Sequence, residues 1–317
     1  MPCLFYIMKK ALVTGGTGFI GSHLVERLVR DKWNVVVIDD LSLGKEENLS
    51  AVKEKIGFYK KSICDDLSNI FEKEKFDYIF HVAALPRVQF SIANPIITHE
   101  VNVNGTLNLL DLCKKHNLKR FVFSSSSSVY GEQKKMPLNE EMENKPISPY
   151  ALHKLIGEYY CQMFNLFYGV ETISLRYFNV YGERQNAEGG YACLIPKFTK
   201  TFLRGSKPVI NGDGEQTRDF TYVGDVIDAN ILAAQTQNKE SFGKAFNIGN
   251  GDNKSINYVT KKIKEILLTE TEVIHGPTVI EPKHTLASIS KAREFLGWAP
   301  KSNFDEKLKI TVESFKD

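Results

Sequence analysis

Five consecutive serines, Ser124 to Ser128, follow the apolar run Phe121-Val122-Phe123, and a polar loop later Ser148-Pro149-Tyr150-Ala151-Leu152-His153-Lys154 opens a helical pattern. Four residues apart on a helix, Tyr150 and Lys154 share a face. An ammonium about 4 Å from a phenol, at an effective dielectric near 20, is worth roughly 4 kcal/mol. That is enough to lower a tyrosine pKa from about 10 by up to about three units, into the range of a general base. A serine hydroxyl at the strand's end would share the substrate proton. The pattern Y-x-x-x-K is not diagnostic alone, since it also occurs at Tyr6/Lys10, Tyr130/Lys134 and Tyr258/Lys262. Only Tyr150/Lys154 opens a long helix after a strand that ends in hydroxyl residues.

A partner for hydride is legible upstream. Ala11-Leu12-Val13-Thr14 runs into Gly15-Gly16-Thr17-Gly18-Phe19-Ile20-Gly21, a helical pattern follows to about Arg30, and the strand Asn34 to Ile38 ends in Asp39-Asp40. This is one βαβ unit with the glycine spacing G-x-x-G-x-x-G. Gly15 permits the tight turn, Gly18 lets backbone approach a pyrophosphate, and Gly21 lets helix and strand pack closely. Asp39, at the end of the second strand, would accept from a ribose 2′-hydroxyl and repel a 2′-phosphate, with Asp40 adding to the repulsion. The unit predicts a dinucleotide site selective for NAD over NADP.

Strands and helices then alternate: Ile56 to Lys60, Leu67 to Glu74, Tyr78 to Val82, Asn94 to His116, Phe121 to Ser124, Pro149 to Tyr168 and Glu171 to Tyr177. Buried strands alternating with helices predict an α/β fold with a doubly wound, Rossmann-type parallel sheet. After Asn179 the elements shorten: a polar loop from Glu183 to Gly190, a helix from Ala192 to Leu203, and helices near Ile256 to Leu268 and Ser290 to Leu296. Residues 1–180 are read as the NAD-binding domain. Residues 181–317 are read as a smaller α/β substrate-binding domain over the sheet's carboxyl edge, with the chain crossing back around 222–249.

A net charge of +3 is too small to predict a nucleic-acid or membrane-surface partner. Cys3, Cys64, Cys113, Cys161 and Cys193 lack metal-ligand spacing and are expected as reduced thiols in a cytoplasm. The histidines show no metal pattern either, so no metal is expected. His81, at a strand end, is expected to be structural. The serine run admits a second reading as a flexible polar loop, most of all at Ser124 and Ser128. Met1 to Met8 lacks the h-region and cleavage site of a signal peptide, and no stretch reaches a membrane-spanning length.

With these residues assembled, the chain resembles the extended short-chain dehydrogenase/reductases, and among them the NAD-dependent nucleotide-sugar epimerases. Beyond the glycine loop the resemblance rests on His81-Val82-Ala83-Ala84, Asn102-Val103-Asn104-Gly105-Thr106, Arg176-Tyr177-Phe178-Asn179-Val180-Tyr181-Gly182, Arg218-Asp219-Phe220, Ile289-Ser290-Lys291-Ala292 and Leu296-Gly297-Trp298. It implies Ser126 as catalytic hydroxyl, Tyr150 as base and Lys154 as its partner. It implies an NAD site formed by Gly15, Gly18, Phe19, Ile20, Gly21, Asp39, Ser42, Gly44, Ile63, Ala83, Asn102, Tyr150, Lys154 and Tyr177. Substrate contacts would come from Arg87, Ser126, Ser127, Tyr150, Asn179, Ala192, Arg218 and Thr285, with Arg218 at the pyrophosphate. Three positions depart from the family pattern: Ser62 and Ser288 stand where it usually has aspartates, and Thr278 where it has an arginine.

The resemblance also sorts the chemistry. Sugar-nucleotide 4,6-dehydratases carry an acid pair after the catalytic hydroxyl; Ser127 and Ser128 stand there and cannot protonate a leaving hydroxyl. The expected activity is therefore epimerisation at C4 of a UDP-hexose through a 4-keto intermediate. Thr285, where epimerases of plain hexoses tend to have tyrosine, favours UDP-GlcNAc and UDP-GalNAc, with UDP-Glc and UDP-Gal as further substrates. A UDP-glucuronate epimerase, a dehydratase, a keto-sugar reductase and an NAD-binding sensor or scaffold are the alternatives, and for a uronate enzyme the sequence nominates no cation. The helix Pro149 to Tyr168 is apolar nearly all round, which with Asn94 to His116 predicts a homodimer through a four-helix bundle.

Overall fold

A computed structural model describes residues 9–187, 193–278 and 282–316. Among them, seven parallel strands form one sheet: β1 (Lys10–Thr14), β2 (Asn34–Asp39), β3 (Ile56–Lys60), β4 (Tyr78–His81), β5 (Arg120–Ser126), β6 (Thr172–Tyr177) and the strand Lys244–Ile248. Their spatial order is Lys244–Ile248, β6, β5, β4, β1, β2, β3. The order reverses between β1 and β4, the topological switch point where open α/β sheets bind ligands at the carboxyl edge.

The strands are apolar almost throughout because helices cover both faces. Alternate residues sort between the layers. Ala11 and Val13 join Leu24, Leu28 and Val226 on one side, while Leu12, Val36 and Ile38 join Leu109, Phe121 and Phe164 on the other. The first layer uses helices α1 (Phe19–Arg30) and Val223–Gln235; the second uses α2 (Ser68–Glu74), Gly105–Lys115 and Pro149–Tyr168. A separate core of Phe198, Phe202, Phe220, Val259, Ile263 and Leu308 knits the C-terminal half together.

Two stretches differ from expectation. The single helix expected over Asn94 to His116 is α4 (Pro95–His99), a π-helical turn Glu100–Asn104, and α5 (Gly105–Lys115), preceded by α3 (Val88–Ala93). Pro95 starts α4 at its first turn, where a missing N–H costs nothing. The serine run is ordered rather than loose. Ser124 and Ser125 are buried in β5, and Ser127–Tyr130 is a 3-10 turn that Ser126 caps by accepting the Ser128 N–H.

Candidate active site

The helix α6 (Pro149–Tyr168) carries Tyr150 and Lys154, the candidate catalytic pair, and begins for local reasons. Ser148 caps it by accepting the Ala151 N–H at 3.2 Å, Pro149 takes the first turn, and Gly169 closes it at φ 67°. Gly157 fixes its distance from the sheet, since a Cβ there would stand 2.4 Å from the Phe123 ring. Close approach at Gly157 sets Tyr150 and Lys154 over the end of β5, beside Ser126.

Tyr150 as a residue is only half-buried, yet the protein closes around its hydroxyl, and that burial pushes the phenol up to about 12. A hydrogen bond with the Ser126 side chain pulls in the opposite direction. Burial pushes the Lys154 ammonium down to about 8. Its Nζ donates to the Ser124 carbonyl at 2.7 Å and lies 6.0 Å from the Tyr150 ring centre. The direct lowering of the phenol by Lys154, expected from the helix spacing, is therefore not what this arrangement gives. Spacing put both side chains on one face, but the longer one runs down to the sheet.

The serines divide the work. Ser124 Oγ pairs with the Tyr177 hydroxyl at 3.0 Å, and the Asn230 amide donates to the same hydroxyl at 2.8 Å. Tyr177 thus buries its polar end in a structural network. Ser125 Oγ donates to Glu158, whose carboxylate also pairs with the Arg176 guanidinium at 2.7 Å, both charges buried. Only Ser126 and Ser127 remain partly open toward the cleft among the first four. The side chains of Glu158, Arg176 and Asn230 support the site and carried no signal in the sequence, because their partners are distant in the chain. His81 is structural as expected: Thr14 and Thr106 hydroxyls hold its two ring nitrogens at 2.8 and 2.9 Å, and burial pushes it down to about 3.

At the dinucleotide loop the three glycines are demanded differently. A Cβ on Gly15, which sits at φ 70°, would lie 2.7 Å from the Ala83 nitrogen, and one on Gly21 would collide with the Gly15 carbonyl. Gly18 has an ordinary φ of −75°, and within 4 Å its Cβ would meet only the Gly15 oxygen, at 3.2 Å. The protein's own packing asks for glycine at 15 and 21; at 18 it leaves a cradle that a pyrophosphate can enter. Phe19 and Ile20 begin α1 there without a side-chain cap, so helix N–H groups face the cradle. Asp39 accepts from the backbone N–H of Thr17 and of Leu41, at 3.0 and 2.9 Å, and each oxygen keeps a lone pair for a ribose. Ser42 donates its N–H to Asp40, and Gly44 packs on Thr17, so this segment folds over the loop. Ile63 is buried against Gly105, and Ala83 donates to Thr14 Oγ1. Asn102 clamps Leu85, accepting its N–H at 2.7 Å and donating to its carbonyl at 3.0 Å. These residues fit a dinucleotide.

Facing them, a cavity of about 320 Å³ is lined by Asn179, Gln185, Cys193, Lys197, Arg218 and Phe220, among others. Asn179 donates to the Asp219 carbonyl and to Thr285 Oγ1, and Arg218 donates to the carbonyls of Thr217 and Lys283. Asn179, Arg218 and Thr285 thus come together as expected. Ala192 lies outside the described residues. Gln185 and Cys193 were missed. Gln185 is buried, donates to the Val180 carbonyl at 2.9 Å, and finds no partner for its Oε1 among the described residues. Cys193 lies within electrostatic reach of both Arg87 and Tyr150. Both residues sit in the loop-to-helix stretch after Gly182, where only helical spacing was legible.

Fold and site together define an NAD-dependent enzyme of the extended short-chain dehydrogenase/reductase class. Residues 11–249 match the NAD dependent epimerase/dehydratase family. The chain is 36% identical over 313 residues to the UDP-glucose 4-epimerase of Mycolicibacterium smegmatis, covering 97% of this chain and 99% of that one. It superposes with TM-score 0.92 and 40% identity, over 98% of each chain, on a UDP-N-acetylglucosamine 4-epimerase from Methanobrevibacter ruminantium in complex with UDP-N-acetylmuramic acid. A UDP-glucuronic acid 4-epimerase from Bacillus cereus, in complex with UDP-glucuronic acid and NAD, gives TM-score 0.90 at 33% identity over 97% of this chain and 99% of that one. The chain belongs to the NAD dependent epimerase/dehydratase family. It is an isomerase, an NAD-dependent UDP-sugar 4-epimerase. Among the described residues no helix is long and apolar enough to cross a membrane.

Proposed function

We propose that the chain interconverts UDP-hexoses epimeric at C4, favouring UDP-GlcNAc and UDP-GalNAc and accepting UDP-Glc and UDP-Gal. The observation that carries this reading is the Ser126, Tyr150, Lys154 arrangement with Ser127 and Ser128 following it. It can move a proton and has no side-chain acid there to expel water. Thr285, small and bonded to Asn179, leaves room for a 2-acetamido group.

NAD, when bound, supplies the hydride acceptor and a positive charge. Tyr150 takes the C4 hydroxyl proton as C4 gives up hydride, and Ser126 hydrogen-bonds the same oxygen. Burial raises the phenol's pKa, which makes the phenolate a strong acceptor for the C4 proton and the phenol a weak donor. The proton therefore goes back only as hydride returning to the other face of the 4-keto sugar leaves an alkoxide to take it. Lys154, held by the Ser124 carbonyl, stays in place through both half-reactions. Residues 1–180 hold the dinucleotide, and the sugar nucleotide is held by Asn179 together with Arg218 and Thr285 of residues 181–317.

The working form in this reading is a cytoplasmic two-fold dimer. Leu166 and Phe167 on α6 are 67% and 69% exposed, and Ile96 on α4 is 85% exposed. A face this apolar, contiguous across α3, α4 and α6, fits a second copy. Within Asn94 to His116 the exposed apolar residues Ile96 and Ile97 lie in α4, with Val88 and Ile92 of α3 exposed just before it, while α5 turns its own inward. A monomer by light scattering at micromolar concentration would count against the dimer.

The deciding experiment incubates the purified protein with each of the four UDP-sugars and no added cofactor, with products read by proton NMR. C4 epimers from all four, with acetamido sugars fastest, are expected. Full activity on UDP-galactose with none on acetamido sugars would overturn the preference, and a requirement for added NAD(P)H would favour a reductase.

A further inference from the structure

An arginine downstream of the short strand Val180–Tyr181 reaches back onto the cover of the glycine loop. Arg184 takes φ 65°, a left-handed backbone that a non-glycine residue keeps only where its surroundings impose it. What imposes it here is the side chain's own set of contacts. The guanidinium donates to both carboxylate oxygens of Glu26 on α1, at 2.9 and 2.8 Å. It also donates to the Asn48 carbonyl at 2.9 Å and to His23 Nδ1 at 2.8 Å. A guanidinium only donates and a carbonyl only accepts. With Nε2 on the Glu183 carbonyl at 2.9 Å, His23 is therefore the neutral tautomer that carries its proton on Nε2. Burial lowers its pKa, and Arg184 lowers it further, so the ring stays an acceptor for Arg184 near pH 7. The same ring meets Phe19, at the start of α1, edge-on at 5.9 Å.

Asn48 is the partner that gives this cluster a function. Residues 41–49 lie over the glycine loop. The Lys45 N–H and the Asn48 side-chain amide both donate to the Thr17 carbonyl, at 3.2 and 2.8 Å, and Gly44 closes on the Thr17 side chain. That closure leaves Thr17 Oγ1 buried with no partner among the described residues. Sealing a hydroxyl without a partner opposes closure, so the cover needs a hold from outside itself. Arg184 supplies one, tying the cover to α1 and to the chain after Tyr181. We propose that Arg184 is a positioning residue for the cofactor: it clasps residues 41–49 over the glycine loop and keeps a bound dinucleotide from leaving between turnovers. The proposal rests on the epimerase cycle, which ends with the cofactor oxidised again and gives it no reason to leave.

The test follows exchange of the holoenzyme's NAD for deuterium-labelled NAD, read by mass spectrometry after desalting. Arg184→Met should raise the exchange rate by about 30-fold, the size of a lost charge-assisted hydrogen bond, and make turnover at nanomolar enzyme depend on added NAD. Arg184→Lys should recover part of the loss, because an ammonium can hold Glu26 or the Asn48 carbonyl but cannot span the fork. Glu26→Gln leaves Arg184 its other acceptors and should raise exchange by about threefold; it decides the matter where Arg184→Met fails to fold. Exchange as slow in these variants as in wild type overturns the clasp and leaves the epimerase reading standing. A lower urea midpoint with unchanged exchange marks a purely structural ion pair and also overturns it. Faster exchange in the variants, with no UDP-sugar epimerised by wild type, keeps the clasp and breaks the epimerase reading.

Discussion

The two walls of the cleft are built on opposite plans. The wall made by the sheet holds its working residues through buried, paired groups: Lys154 on the Ser124 carbonyl, Asp39 on two N–H groups, Ser125 on Glu158, Tyr177 on Asn230. The wall made by the C-terminal half and the α3 connection is less complete: among the described residues a buried Gln185 oxygen has no partner, and Arg87 holds a strained backbone at φ 101°. A satisfied network is rigid and indifferent to the ligand; an unsatisfied one prefers whatever completes it. In the proposed function the first wall fixes the reaction, and the second selects the substrate.

Substitutions on the sheet wall should therefore change kcat, and those opposite should change KM. The largest expected effect is at Tyr150. Tyr150→Phe should lower kcat by about 10³-fold or more, a general acid–base loss, with bound NAD retained on ultraviolet absorbance. Retention of a normal rate would remove Tyr150 from its role. Next comes Gly157→Ala, whose Cβ would strike the Phe123 ring. Displacing α6 by even part of an ångström should cost about 10²-fold in kcat with KM within threefold, and a rise in KM at constant kcat would contradict the division.

His81 tests the rigidity of the same wall. Its pKa falls from 6.5 to about 3 on folding, so between those values the unfolded chain binds more protons. The stability His81 contributes is present above the unfolded value and is lost as pH falls from 6.5 toward 3, by at most about 5 kcal/mol. Urea midpoints across that range should fall less steeply in His81→Asn. The smallest effect is expected opposite: Gln185→Leu, which removes the unpaired oxygen, should raise KM by about tenfold and leave kcat within twofold. A kcat loss as large as that of Gly157→Ala would erase the distinction.

The sheet wall was the legible one. Its residues lie in short-range patterns, a glycine spacing, an i,i+4 pair and a strand ending in hydroxyls, and local geometry carries those into the fold. The seven-stranded parallel sheet follows from alternation and from uninterrupted apolar strands. Even here side-chain direction escaped, because whether Lys154 reaches the phenol or the Ser124 carbonyl depends on how closely Gly157 lets α6 approach. The break of the long helix into α4, a π turn and α5 also escaped, since the apolar spacing is continuous across it and only the Asn102 clamp needs the wider turn. The opposite wall depends on Asn179, Gln185, Arg218 and Thr285 meeting from far apart in sequence, which no local pattern encodes. Arg87 could be named as a contact, but its strained backbone is a property of three dimensions alone.

The strand Lys244–Ile248 has a consequence for the order in which this chain can mature. It is the outermost strand beside β6, and its Asn247 accepts from the Tyr130 hydroxyl, just beyond the serine run. During synthesis the dinucleotide loop emerges first, yet the edge of its own sheet is still unmade until the substrate-binding residues up to Arg218 have followed. The sheet behind the candidate site is therefore complete only after residue 248, and Thr285 opposite it follows later still. A chain that stops before Lys244 lacks this edge strand and Thr285 alike.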